Sequence, residues 1–167
     1  RAKLPEIYGF RKERDRGVIK VTVEAPDACI RYSGLTVRGI RVGPSPAWLQ
    51  TRLRAIGLNP INNVVDITNF VLHETGQPLH AFDASAITGD TVRVRHLPDK
   101  TKFVTLDGVE RTLSSSDLMI CNRDEGMCIA GVFGGLRSGV TEATTDLFLE
   151  SATFSPVSVR RTSRRHD

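Results

Sequence analysis

No stretch of the 167 residues approaches the roughly 18 consecutive apolar residues of a membrane-spanning helix, so no span is expected. The first residues, Arg1-Ala2-Lys3-Leu4-Pro5, lack the apolar run of a signal peptide and an initiator methionine. At the other end, Arg164-Arg165-His166-Asp167 carries no turn or stop signal. A segment of a longer chain is expected. Cysteine is scarce: Cys29, Cys121 and Cys128 are odd in number and form no CxxC pair. This excludes a disulfide framework and a sequence-evident zinc site, and no metal is expected. Each cysteine has apolar neighbours, which suits small buried hydrophobes in a reducing cytoplasm. Cations are missing between Gly57 and Val92. Such a stretch makes a poor phosphate surface, so chemistry located there is not phosphate gripping.

The chain does have enough apolar content, 40%, to build a core, and its length fits one domain. Its net charge of +4 is concentrated at the ends. Arg11, Lys12, Arg14, Arg16 and Lys20 crowd one end, and Arg160, Arg161, Arg164 and Arg165 the other. A basic periphery attracts a polyanion such as RNA, although the same residues equally serve to solvate a surface.

The patterning divides the chain into three stretches of one module spanning 1–167. Residues 1–43 form an N-terminal β segment, with strands over Val18 to Val23, Cys29 to Tyr32 and Leu35 to Val42, and with Gly34 and Gly39 as bends. Residues 44–90 form a helical part. In the first helix Ser45 is the N-cap, Pro46 the first helical position and Gly57 the terminator, with Leu49, Leu53 and Ile56 on one face. In the second, Asn62 or Asn63 caps, Val64, Ile67, Val71 and Leu72 recur at helical spacing, and Gly76 ends it. Thr68 leans toward that stripe and is expected to return its hydroxyl to a carbonyl one turn back. Residues 91–167 turn β again, with an Asp107-Gly108 hairpin, further strands over Leu118 to Cys121, Met127 to Phe133 and Leu147 to Ala152, and a helix opening at Ser155-Pro156.

Two residues carry candidate chemistry. His80 sits in Gln77-Pro78-Leu79-His80-Ala81-Phe82-Asp83 among apolar neighbours. A lone histidine there is more often a satisfied structural residue; the functional reading is a polar group oriented toward a water or a substrate carbonyl. Glu150 interrupts the apolar Leu147-Phe148-Leu149-Glu150-Ser151-Ala152, and period two places Phe148, Glu150 and Ala152 on one face. It is either solvated or buried with a use for the cost of burial, as in a pocket that recognises a hydroxyl. Gly131, Gly134 and Gly135 follow neither the Walker A nor the dinucleotide spacing, and suit close backbone approach or a bulge. No Ser/His/Asp or Cys/His arrangement stands out, so hydrolysis here would use a positioned water.

Taken in order, the runs Asn59-Pro60-Ile61-Asn62-Asn63-Val64-Val65-Asp66-Ile67-Thr68-Asn69-Phe70-Val71, Gly76 to Asp83, Leu106-Asp107-Gly108, Ala130 to Gly135, Leu149 to Ala152, Phe154-Ser155-Pro156 and Arg160 to His166 resemble the B3/B4 module of the bacterial phenylalanyl-tRNA synthetase β subunit. The resemblance implies an α+β, mainly β fold: a closed antiparallel β-barrel core with an added α+β part carrying two helices, and a C-terminal helix. It implies post-transfer editing, the hydrolysis of tyrosine mischarged onto phenylalanine tRNA. His80 and Thr68 then match catalytic positions around the aminoacyl group. Glu150 matches the residue that reads the tyrosine hydroxyl, and Gly131, Gly134 and Gly135 shape the pocket wall. Asn59 and Asn69 match substrate-contacting positions, Asn59 standing where the family often has arginine. The implied partners are phenylalanine tRNA, the remainder of the β subunit and the catalytic α subunit, in the cytoplasm. ATP and magnesium belong to the whole synthetase, with no cofactor in this segment. The competing expectation is a non-catalytic RNA-binding or inter-domain module. Glu150 and His80 sharing one pocket would favour the hydrolase.

Overall fold

The computed structural model describes residues 8, 9, 11 and 19–167. Lys12, Arg14 and Arg16 of the basic cluster, and Val18 of the first expected strand, lie outside the described residues. The N-terminal alternation forms β1 (Lys20–Val23). The next two expected strands merge into one ten-residue strand, β2 (Cys29–Arg38). Gly34 is therefore not a bend. A Cβ there would lie 2.1 Å from the Phe148 ring, so the glycine admits an aromatic ring lying against the strand.

Helix α1 (Ala47–Ala55) begins after Pro46, which occupies the cap position. Ser45 does not cap it; its hydroxyl donates to Asp66 Oδ2 at 2.5 Å. Leu49 and Leu53 are buried, but Ile56 is exposed because the helix has already ended and the chain turns through Gly57 at φ +85°. Helix α2 (Asn63–Thr75) is capped by Asn62, whose Oδ1 accepts from the Val64 and Val65 amides at 3.1 and 3.0 Å. It stops at left-handed Gly76. The buried Asp66 also accepts from the Ile61 amide at 2.8 Å, tying the approach of both helices together.

The rest of the chain supplies β3 (Leu79–Asp83), β4 (Thr91–His96), β5 (Lys102–Val104), β6 (Glu110–Thr112), β7 (Leu118–Cys121), β8 (Gly126–Ile129), β9 (Phe133–Gly134), β10 (Asp146–Phe154) and helix α3 (Pro156–His166). The Asp107-Gly108 turn joins β5 to β6 as an antiparallel hairpin. A five-stranded sheet runs β1-β4-β7-β8-β9, with β1 parallel to β4, and a three-stranded sheet runs β2-β10-β3.

This corrects the expectation of a closed antiparallel barrel formed after Thr91. The described sheets are open: β1 and β9 are opposite edges of the five-stranded sheet, and β10 leaves it to join β2 and β3. The reason lies in β10 itself. It is apolar on both faces, and such a strand is stable when covered from both sides. On one face Leu147, with Leu149 and Ala81, packs against Val64 and Val42 of the helical side. On the other, Phe148 and Phe82 pack with Val92, Val94, Ile120 and Cys128 of the five-stranded sheet. The hairpin signal set local pairing only, not the sheet to which later strands belong.

Helix α3 is fastened to the five-stranded sheet by Asp117, which is fully buried. Its carboxylate accepts from the Ser114 amide and the Thr162 hydroxyl, both at 2.9 Å, and from Arg165. His166 Nε2 lies 2.8 Å from Oδ2. Burial opposes ionisation, but these hydrogen bonds outweigh it and hold the Asp117 carboxyl below its ordinary value. Arg111 adds a second tie, stacking 4.0 Å over Phe133 and donating to the His166 carbonyl.

Candidate functional site

The antiparallel register of β3 and β10 pairs His80 directly with Glu150. Paired residues project to the same side of a sheet, so both side chains face the five-stranded sheet. There they line a cavity of about 800 Å³ together with Cys128, Gly131, Gly134 and Arg160. Four parts of the fold build it: β3, β10, the β8–β9 turn and the first half of α3.

Glu150 is 6% exposed. Burial pushes its carboxyl from 4.5 up to about 7, and a hydrogen bond from Tyr32 pulls the other way. That bond runs from the Tyr32 hydroxyl to Oε2 at 2.7 Å. In return, burial first and the Glu150 charge second push the Tyr32 phenol well above its usual range, so it remains a donor. His80 packs edge-on against Phe82 with ring centroids 4.5 Å apart. Its Nε2 is buried with no hydrogen-bond partner among the described residues. Burial pushes its imidazole from 6.5 down to about 4, so the ring is neutral around pH 7. The site therefore combines a buried carboxyl acceptor with a neutral imidazole whose buried Nε2 is left unpaired among the described residues.

The glycines divide by role. A Cβ on Gly134 would lie 2.7 Å from Leu106 Cδ1 and 3.1 Å from His80 Cε1, so this glycine lets the wall close on the imidazole. Gly131 turns at φ +70° against Val159 of α3. Gly135 lines a different cavity, of about 430 Å³, and a Cβ there would meet the Met127 carbonyl oxygen at 2.5 Å.

Thr68, Asn69 and Asn59 are not among the residues lining the His80–Glu150 cavity. Thr68 and Asn69 lie on α2, whose Val64 packs with Leu147 on the opposite face of the three-stranded sheet, and Asn59 lies in the segment leading to that helix. The Thr68 hydroxyl donates to the Val65 carbonyl at 2.8 Å, as its helical position predicts. Tyr32, Cys128 and Arg160 were not singled out as site residues. Alternation within β2 places Tyr32 on the same face as Gly34, but the pairing of β2 with β10, which brings it to Glu150, leaves no local signal. Among the described residues no cluster of three or more His, Cys, Asp or Glu is placed to hold a metal ion, and no helix is long and apolar enough to cross a membrane. The three cysteines are free and buried.

Comparison with known proteins agrees with the resemblance. The B3/4 domain family matches residues 28–167, and the chain belongs to that family. It is 62% identical over 162 residues to the phenylalanine–tRNA ligase β subunit of Bacteroides fragilis, covering 97% of this chain and 20% of that one. With the corresponding subunit of Porphyromonas gingivalis the identity is 64% over 164 residues, covering 98% of this chain and again 20% of the other. The chain thus spans about a fifth of the length of these curated relatives. An N-terminal fragment of the phenylalanyl-tRNA synthetase β subunit from Pyrococcus horikoshii shares the fold, with a TM-score of 0.58 and 14% identity over 89% of this chain and 50% of that one.

Proposed function

We propose that this chain is the editing module of a phenylalanine–tRNA ligase β subunit, a single unit that hydrolyses tyrosine wrongly esterified to phenylalanine tRNA. The observation that carries the proposal is the pairing of a buried carboxylate with a neutral, unpartnered imidazole in one cavity. The cavity is large enough for an aromatic amino acid, and its carboxylate already accepts a hydrogen bond from a phenol. Glu150 reads the ring hydroxyl. His80 orients either the attacking water or the ester carbonyl through Nε2. Gly131 and Gly134 keep the wall low enough for the ester to approach. Thr68, Asn69, Asn59 and Gly135, which do not line this cavity, contribute through the surrounding framework or through contacts with tRNA.

Phenylalanine entering the same site leaves the carboxylate without its hydroxyl donor, a penalty of roughly 1–3 kcal/mol. This is the asymmetry by which a site built for a hydroxyl rejects the analogue that lacks it. A pure binding module has no need for a desolvated carboxylate beside a neutral imidazole. The tRNA, the rest of the β subunit and the α subunit are the partners of this reaction, in the cytoplasm. ATP and magnesium serve aminoacylation in the whole ligase. The residues here suit neither, since Gly131 to Gly135 is not followed by the Lys and Ser/Thr of a phosphate loop.

The test is deacylation of tyrosyl- and phenylalanyl-tRNA(Phe) by the complete ligase, with and without Glu150→Ala. The expected result is a fall in the tyrosine-to-phenylalanine ratio of roughly 5- to 150-fold. An unchanged ratio sinks the assignment of Glu150, and a wild-type enzyme inert toward tyrosyl-tRNA sinks the editing function.

A further inference from the structure

The carboxylate at the centre of the cavity is served by one hydrogen-bond donor among the described residues, Tyr32. The strand register explains how the two meet. Glu150 faces Gly34 across β2, and Tyr32 faces Ala152, so Tyr32 is the diagonal neighbour of Glu150 on the cavity side of the sheet. Gly34 has no side chain to compete for the space, which the Phe148 ring fills instead. The phenol is left as the polar group that reaches the carboxylate.

We propose, on the basis of the editing function above, that Tyr32 is the positioning residue of this site. Its hydroxyl holds Oε2 of Glu150, so that the carboxylate stays an acceptor and offers its other oxygen, Oε1, to the ring hydroxyl of the amino acid being removed.

Three observations support this. At 2.7 Å the phenol donates a well-formed hydrogen bond to Oε2, and a donor at that position favours the ionised carboxylate. The other groups around Glu150 do not stabilise the anion. Cys29 of β2 and Cys128 of β8 are neutral thiols, pushed up by burial and by the Glu150 charge, and His80 of β3 is neutral. Arg160 of α3 lines the same cavity, but the electrostatic balance at Glu150 contains no favourable contribution from it. Finally, a carboxylate has two oxygens, and with Oε2 fixed by an internal phenol the orientation of Oε1 is fixed as well. The substrate hydroxyl is then recognised by a rigid acceptor rather than by a rotating one. The protein's own tyrosine completes the site that detects tyrosine.

The experiment is Tyr32→Phe in the complete ligase, which removes the hydroxyl and keeps the ring. The ratio of tyrosyl- to phenylalanyl-tRNA(Phe) hydrolysis is measured from about pH 5.5 to about pH 9, alongside Glu150→Gln and the double variant. Losing a hydrogen bond to a charged group displaces the ratio's pH profile upward by about 1 to 2 pH units. Tyr32→Phe should therefore lose roughly 5- to 50-fold in discrimination near neutral pH and regain it at the alkaline end. In the Glu150→Gln background the Tyr32→Phe change should have no further effect on the ratio, because Tyr32 acts only through that carboxylate. An unmoved ratio and pH profile in Tyr32→Phe would overturn the proposal while leaving editing intact. A ratio that rises would also overturn it, since Tyr32 would then be competing with substrate for Glu150. Absence of tyrosyl-tRNA hydrolysis in the wild type would instead remove the editing function and this inference with it.

Discussion

Replacing Glu150 with glutamine should make the protein more stable in a strictly pH-dependent way. The carboxyl lies in the sheet-to-sheet interior, where burial raises it from 4.5 to about 7. In the unfolded chain it ionises at its ordinary value. Between the two values the unfolded state has released a proton that the folded state still holds, so this group's contribution to folding stability falls as pH rises through this window and is fully lost above about 7. Each tenfold difference in proton affinity is worth about 1.4 kcal/mol, which makes the total penalty about 3 kcal/mol at mildly alkaline pH. That is a large share of the 5–15 kcal/mol typical of a domain. Glutamine keeps the shape and an acceptor for Tyr32 but never ionises. Urea unfolding followed by circular dichroism should give Glu150→Gln little advantage near pH 4 and roughly 3 kcal/mol near pH 8. His80 supplies an opposing slope, so the wild-type profile alone hides both. Equal effects of the substitution at the two pH values would mean that the carboxyl does not titrate in a desolvated site, and its role as a buried acceptor would fall with that result.

Four further outcomes follow from the same geometry. Because burial lowers the His80 imidazole to about 4, stability is lost as pH falls from about 6.5 toward that value; His80→Asn should flatten this acid-side loss, worth up to about 3 kcal/mol, and should also slow tyrosyl-tRNA hydrolysis. Gly134→Ala pushes on the mobile end of Leu106 and on His80, so deacylation should fall more than melting temperature. Gly135→Ala meets a backbone carbonyl at 2.5 Å and should cost on the order of 1–3 kcal/mol in a denaturant titration. Arg160→Ala removes an exposed cation at the cavity wall; tRNA binding by the ligase should weaken and the slope of log affinity against log salt should shrink by about one.

Much of the local structure was legible because its causes are local. Asn62 caps α2 and Gly76 ends it for reasons contained within one helical turn, and Asp107-Gly108 forms its hairpin without help from the rest of the chain. The polarity conflict at Glu150 was equally visible, since one charge in an apolar strand needs no partner to be conspicuous. Sheet membership was not legible. Whether β10 closes a barrel or joins β2 depends on pairings more than a hundred residues apart, and alternation is the same in either case. Tyr32 was missed for that reason: its partner is 118 residues away. The placement of α2 on the far side of β10 is likewise a property of the packed layers, not of the helical pattern that identified Thr68 and Asn69.

The central position of β10 also bears on the order in which the protein can be made. Ribosomes release the chain from its N-terminus, and β2 emerges long before the strand that pairs with both it and β3. Until residues 146–154 appear, β2 and β3 have no ladder partner among the described residues, and two of the four parts that surround Glu150 do not exist. The α2 cap and the β5–β6 hairpin can form as they are synthesised, whereas the cavity must wait for a closure spanning 118 residues, the slow kind of contact in folding. A nascent chain stalled before β10 therefore presents open strand edges and no site at all. The cavity is assembled only after β10 has been made, and its wall is completed when α3 docks on Asp117.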